Sequence, residues 1–81
     1  MSAIKAIEAD VRDAQRRAAA AAGMSDRDAR VRAFLALCEE LGDVAKRYQF
    51  PFPVARALVH VATEAYFAAR KAAVLEAYAN V

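Results

Sequence analysis

The stretch Pro53-Val54-Ala55-Arg56-Ala57-Leu58-Val59-His60-Val61-Ala62-Thr63-Glu64-Ala65-Tyr66-Phe67-Ala68-Ala69-Arg70-Lys71-Ala72-Ala73-Val74-Leu75-Glu76-Ala77-Tyr78-Ala79 sets the architecture. After Pro53 it contains no Gly or Pro, and its residues are mostly strong helix formers. Val54, Leu58, Val61, Ala65, Ala68, Ala72, Leu75 and Ala79 recur in four-three alternation, the seam of a helix packed on other helices. The central members are Ala, so a neighbouring helix can come close. Ala57, Ala62, Tyr66, Phe67, Ala69 and Val74 lie beside the seam, and a helix apolar nearly all round is covered on more than one side. The spacing predicts a helix over about 53–79, roughly 40 Å long at 1.5 Å per residue.

Just upstream, Gln49-Phe50-Pro51-Phe52-Pro53 reads as a break. Each Pro pushes the preceding residue toward extended backbone, and Pro53 suits the first turn of the helix that follows. Phe50 and Phe52 are large apolar groups on this short connection. They call for burial in the core, in a subunit contact or in a ligand site.

A second helix is expected over about 26–48. Ser25-Asp26-Arg27-Asp28 resembles a capping box with Asp in place of Glu, started by Ser25, and the early acids suit the positive end of the helix dipole. Its apolar stripe is Val31, Phe34, Leu35, Cys38, Leu41, Val44, Ala45 and Tyr48. Gly42 costs about 1 kcal/mol relative to Ala in a helix interior, which is repaid if it permits a close helix crossing. A first helix is expected over about 3–22, capped by Ser2 and ended by Gly23. Its stripe is Ile4, Ile7, Val11, Ala14, Ala18 and Ala21. Glu8–Arg12 and Asp13–Arg17 are acid-first pairs four apart on a wet face.

Composition agrees with one small all-α domain over residues 1–81. Hydrophobic types make up 59% of the 81 residues, which excludes disorder, and 23 residues are Ala. No set of β-rich segments bounded by turn residues is present, which excludes sandwiches, barrels and wound sheets. One Cys and one His leave no disulfide framework and no ligand set for a metal; no cofactor motif is visible. Cys38 reads as a small core residue. The net charge of +2 is too mild for duplex nucleic acid, although nine of the twelve basic residues are Arg, the planar phosphate binder. Met-Ser-Ala-Ile-Lys lacks the apolar core of a signal peptide, and Ala18 to Ala22 is far too short for a membrane span. The expectation is a cytoplasmic protein with no membrane partner.

The chain is expected to self-associate. A 27-residue helix exceeds what two shorter companions can cover, and an 81-residue domain has a radius of gyration of only about 12 Å when compact. An Ala-rich core also buries little area per residue. A homo-oligomeric helical bundle resolves both problems. The competing arrangement is a third helix bent back near Ala68–Ala73.

Reaction chemistry is sparse. There is no Gly-rich phosphate loop. His60 and Glu64, four apart, share a helix face and could form a general-base pair, but such pairs are usually salt bridges. Glu39 and Glu40 are adjacent and diverge, and Glu64 and Glu76 are too far apart to share a proton or a metal. No catalytic residue is assigned, and the expectation is a protein that is not an enzyme. A basic and aromatic set does stand out: Arg47, Tyr48, Phe50 and Phe52, then Arg56, His60, Tyr66, Phe67, Arg70 and Lys71. Arg56, Thr63 and Arg70 recur every seven residues along one face. Aromatic faces stack on bases while Arg and Lys take phosphates, so the set suits a nucleotide. Arg27, Arg30 and Arg32 add donors near a helix N-terminus.

The layout of a second helix, a Pro-containing break and a long third helix carrying Glu64-Ala65-Tyr66-Phe67-Ala68-Ala69 and Ala72-Ala73-Val74 resembles the phage anti-CBASS sponge family. The resemblance covers roughly Val31 to Val74. Where that family tends to carry Ser-Arg-Glu after the Pro, this chain has Phe52-Pro53-Val54, with Arg56 nearby. The resemblance implies a small helical phage protein, typically hexameric, that sequesters a cyclic di- or trinucleotide messenger without cleaving it. On that reading Arg56 and Arg70 pair with phosphates, Tyr66 and Phe50 pack on bases, and His60 donates to a base edge or phosphate, all at subunit interfaces in the infected cell. The alternatives are a helical inhibitor that binds a host defence protein (a CRISPR complex or a nuclease) through Phe50–Pro53, and a structural helix-association module.

Overall fold

Three helices follow one another in a computed structural model that describes residues 3–80. They are α1 (Ala3–Ala22), α2 (Arg27–Ala45) and α3 (Pro51–Ala79). There is no strand among the described residues. The expected cap at Ser2 lies outside the described residues.

Local chemistry accounts for the helix ends. α1 stops before Gly23, whose amide reaches back to the carbonyls of Ala19 and Ala20, both at 3.2 Å. Gly23 does this without a left-handed backbone, since no described glycine has positive φ. Asp26, not Ser25, caps α2: its carboxylate accepts the Ala29 amide at 2.8 Å. A carboxylate at that position satisfies an orphan amide and also suits the helix dipole. α2 ends at Ala45 rather than near Tyr48, because the next three amides tighten onto carbonyls three residues back, Lys46 to Asp43, Arg47 to Val44 and Tyr48 to Ala45. Such a tightened last turn is a common way to close a helix.

α3 starts earlier than the sequence suggests. Both Pro51 and Pro53 lie in its first turn, after Phe50 as N-cap. The first four amides of a helix have no intrahelical acceptor, so a missing N–H costs nothing there. Two prolines two apart are therefore compatible with a helix when both fall in that turn. The helix then runs unbroken to Ala79, with no bend at Ala68–Ala73.

The core is small and built largely from Ala. Ala14, Ala18 and Ala22 of α1 meet Leu37 and Leu41 of α2 and Leu58, Ala62 and Tyr66 of α3. α3 packs most extensively on α1; the small side chains of that contact let the two backbones approach. Tyr66 is the largest core side chain, and its ring lies 4.5 Å from that of Phe34. The rotation of two helices differs from the expected stripes. In α2, Leu37 is buried whereas Leu35 and Val31 face solvent. In α3, the buried line is Leu58, Ala62 and Tyr66, while Ala68, Ala72, Leu75 and Ala79 are exposed. A strict seven-residue repeat stays on one face only if helices supercoil along its whole length. α3 has companions for only part of its length, so its contact line follows the straight-helix period.

Polar contacts tie the segments together. Tyr48 donates its hydroxyl to the Asp10 carboxylate, and Arg47 approaches the same carboxylate at 3.7 Å, which pins the α2–α3 connection to α1. That hydrogen bond, with burial and the Asp10 charge, pushes the Tyr48 phenol above its ordinary range. Arg17 pairs with Glu40 across α1 and α2, and Asp13 pairs with Arg16 rather than with Arg17. Burial alone raises the half-buried Cys38 thiol.

Gly42 does not mark a close crossing. A Cβ placed there would meet nothing within 4 Å. Gly42→Ala is therefore expected to raise stability by about 0.5–1 kcal/mol, read as a shift of the urea midpoint without a change of slope.

The molecule is long for its size. Its radius of gyration is 14.1 Å and its extents are 50 × 22 × 16 Å, against roughly 12 Å for a compact chain of this length. The cause is the far end of α3. Arg70 lies beside the last turn of α1, where its Nη1 donates to the Ala22 carbonyl at 3.2 Å. From Lys71 onward α3 projects past its companions by about 13 Å, and Val74, Leu75 and Tyr78 are all exposed there.

Candidate functional site

The start of α3 carries the densest mixture of cation and aromatic. Phe52, Pro53, Ala55, Arg56, Ala57, Val59 and His60 line an open groove of about 900 Å³. Phe50 stands just before it at the N-cap. Phe50 and Phe52 are 69% and 88% exposed, so neither enters the core of the single chain. Both prolines hold this end of the helix rigid, because their ring-fixed φ is already helical. The two rings are thus displayed on a stiff base beside Arg56 and His60.

Every residue lining the groove belongs to the first turns of α3. The groove accordingly has a single wall. His60 is held one turn on, with Nε2 3.2 Å from Oε1 of Glu64, both side chains 68% exposed. The pair has the expected spacing, and it faces solvent. Among the described residues, no three His, Cys, Asp or Glu side chains gather as a set that could hold a metal ion. No helix among them is long and apolar enough to cross a membrane.

The five residues assigned to ligand binding from sequence divide into two groups. Phe50, Arg56 and His60 share the start of α3. Tyr66 and Arg70 do not join them. Tyr66 is 7% exposed, with one ring face against Phe34 and the Phe67 edge 5.4 Å away; its ring has no open face for a base. Arg70 is turned onto the C-terminal end of α1, where a guanidinium satisfies an orphan carbonyl and favours the helix dipole. Thr63, between Arg56 and Arg70 in the seven-residue row, donates its hydroxyl to the Val59 carbonyl at 2.7 Å. The even spacing of Arg56, Thr63 and Arg70 does not produce a row of free polar groups.

Phe52 was the strongest feature not assigned a ligand role. Its direction is set by the rotation of α3 that turns Leu58, Ala62 and Tyr66 inward, which no local signal at Pro51 or Pro53 announces. No family model, curated protein or solved structure matches the chain.

Proposed function

We propose that this chain is a non-catalytic binding protein that assembles with itself and holds a cyclic di- or trinucleotide messenger between copies, as a phage counter-defence sponge would in the cytoplasm of an infected cell. The observation that carries the reading is the exposed face at the start of α3, where Phe52 stands beside Arg56 and His60, with Phe50 exposed at the N-cap just before them. Aromatic faces offered to bases next to a guanidinium offered to phosphate are the elements a compact nucleotide ligand needs. The face has one wall, so a second must come from another molecule, which suits a site between subunits. Arg56 binds phosphate, Phe50 and Phe52 pack on bases, and His60 donates to a phosphate or base edge. Sequestration asks for no moving part and no bond cleavage. Its effect is stoichiometric, set by affinity and copy number against those of the host receptor.

The test is thermal stabilisation by cyclic diadenylate, cyclic diguanylate and cyclic triadenylate. A ligand at a hundred times its dissociation constant contributes about 2.7 kcal/mol, which in a domain this small is a rise of roughly 15 °C. Arg56→Ala is expected to remove that rise for the responding ligand. A rise that survives Arg56→Ala places the ligand elsewhere. No rise with any of the three overturns the reading and turns attention to Phe50 and Phe52 as a protein-binding anchor. Two fully exposed aromatics at a helix start are also the kind of side chain that dominates interface energy.

A further inference from the structure

α3 carries two unsatisfied features, one at each end: the one-walled groove at Arg56 and His60, and the projecting turns with Val74 and Tyr78. They share a face. At about 100° per residue, Arg56, His60, Phe67, Lys71, Val74 and Tyr78 fall within a sector of about 60°, on the far side from buried Leu58, Ala62 and Tyr66. Phe67 is 62% exposed and stands midway, as far from His60 as from Val74 and as far from Arg56 as from Tyr78.

We propose that α3 packs antiparallel against α3 of a second copy about a two-fold axis at Phe67, so that the projecting end of each copy becomes the missing wall of the other's groove. The two Phe67 rings meet on the axis. Glu64 of each copy faces Lys71 of the other, on the same flank of the helix, giving two reciprocal ion pairs. His60 stands across the seam from Val74 of the second copy, and Arg56 across from the Tyr78 ring, with the groove between them. Charge selects the direction. In a parallel pair, Glu64 would face Glu64, Lys71 would face Lys71, and Arg56 would face Arg56. A two-fold contact of one patch with itself also closes without leaving an open edge.

The same arrangement deepens the function proposed above, on which this part rests. Each cleft becomes composite, with Phe52, Arg56 and His60 from one copy and Lys71 and Tyr78 from the other. That supplies two cations and two aromatic faces per cleft, and two clefts per pair. One guanidinium and one ammonium then address the two phosphates of a cyclic dinucleotide.

Cross-linking tests the axis without any ligand. In a Cys38→Ala background, an equimolar mixture of Glu64→Cys chains and Lys71→Cys chains, treated with a short bis-maleimide, is expected to shift about half of the material from 8.8 kDa to twice that mass. Glu64→Cys alone and Lys71→Cys alone are expected to stay at the monomer mass, because copies of either residue lie apart. Equal linking by a single variant, or no linking in the mixture, overturns the antiparallel axis. Phe67→Lys, with helicity checked by circular dichroism, is expected to convert the assembly to monomer in light scattering; an intact assembly overturns Phe67 as its centre. The composite cleft has its own test with the cyclic nucleotide giving the largest thermal rise. Arg56→Ala and Lys71→Ala should each lose the rise, and mixing the two should recover it, since one cleft of each mixed pair is then intact. Loss without recovery overturns the shared cleft. Cross-linking as expected with no nucleotide response leaves the axis standing and removes the sponge reading.

Discussion

Leu58→Ala is expected to destabilise the fold by about 3 kcal/mol. Leu58 and Leu41 are the two large side chains with essentially no exposure, at 1% and 2%. Truncating Leu58 removes three carbon atoms' worth of packing from a small core rich in Ala, roughly 3 kcal/mol in a site that cannot collapse. Half of the buried cluster that holds Leu58 is Ala, whose methyl groups have no rotamers with which to fill the gap. A chain this long holds roughly 4–12 kcal/mol in total, so the loss lowers the melting temperature by roughly 15 °C. Leu35→Ala is the control. Sequence periodicity places Leu35 in the core stripe of α2, but it faces solvent, and its truncation is expected to cost less than about 0.5 kcal/mol. Paired urea melts of the two variants check this directly. Equal losses would mean that α2 is rotated to bury Leu35.

Tyr66→Ala is the second large effect, again about 3 kcal/mol. The ring fills the space between α2 and α3 and stacks at 4.5 Å on Phe34. Offset or tilted aromatic pairs contribute roughly 0.5–1.5 kcal/mol beyond their buried area. Tyr66→Phe keeps the ring and its contact, and is expected to melt within about 0.5 kcal/mol of the parent. These two variants separate the packing of the ring from any part played by the hydroxyl. If Tyr66 acts only in packing, Tyr66→Phe retains the full thermal response to cyclic nucleotide. Phe50→Ala, at a site with 69% exposure, should weaken that response while leaving the unliganded melt unchanged.

The helices themselves were legible because their ends are written locally. Asp26, Gly23 and the Pro51–Pro53 pair act through amides and carbonyls within a few residues of themselves. The errors there are of one to three residues. Asp26 competes with Ser25 for the same cap, and the first turn of α3 accommodates both prolines because its amides need no acceptor. The sequence singled out a basic and aromatic set around the break, of which Phe52, Arg56 and His60 line the exposed face at the start of α3. The place of Arg70 was not legible. Its attachment to Ala22 spans 48 residues of sequence, and no spacing within α3 signals it.

Local residue chemistry was thus sufficient for three α-helices, their order and their approximate limits. It fixed the inward side of α2 and α3 only coarsely: Phe34, Leu41, Val44, Val54 and Leu58 pack at the core as the stripes require, but Leu37, Ala62 and Tyr66 occupy its centre. α3 is apolar around most of its circumference, so neighbouring faces satisfy its hydrophobic pattern about equally well. Packing made the choice: α1 presents a strip of Ala methyl groups, against which Leu37, Leu41, Leu58 and Tyr66 fit and fill the available volume. That one rotation sends Tyr66 inward, ties Arg70 to α1, and leaves Arg56, His60 and Phe67 facing outward along a single line.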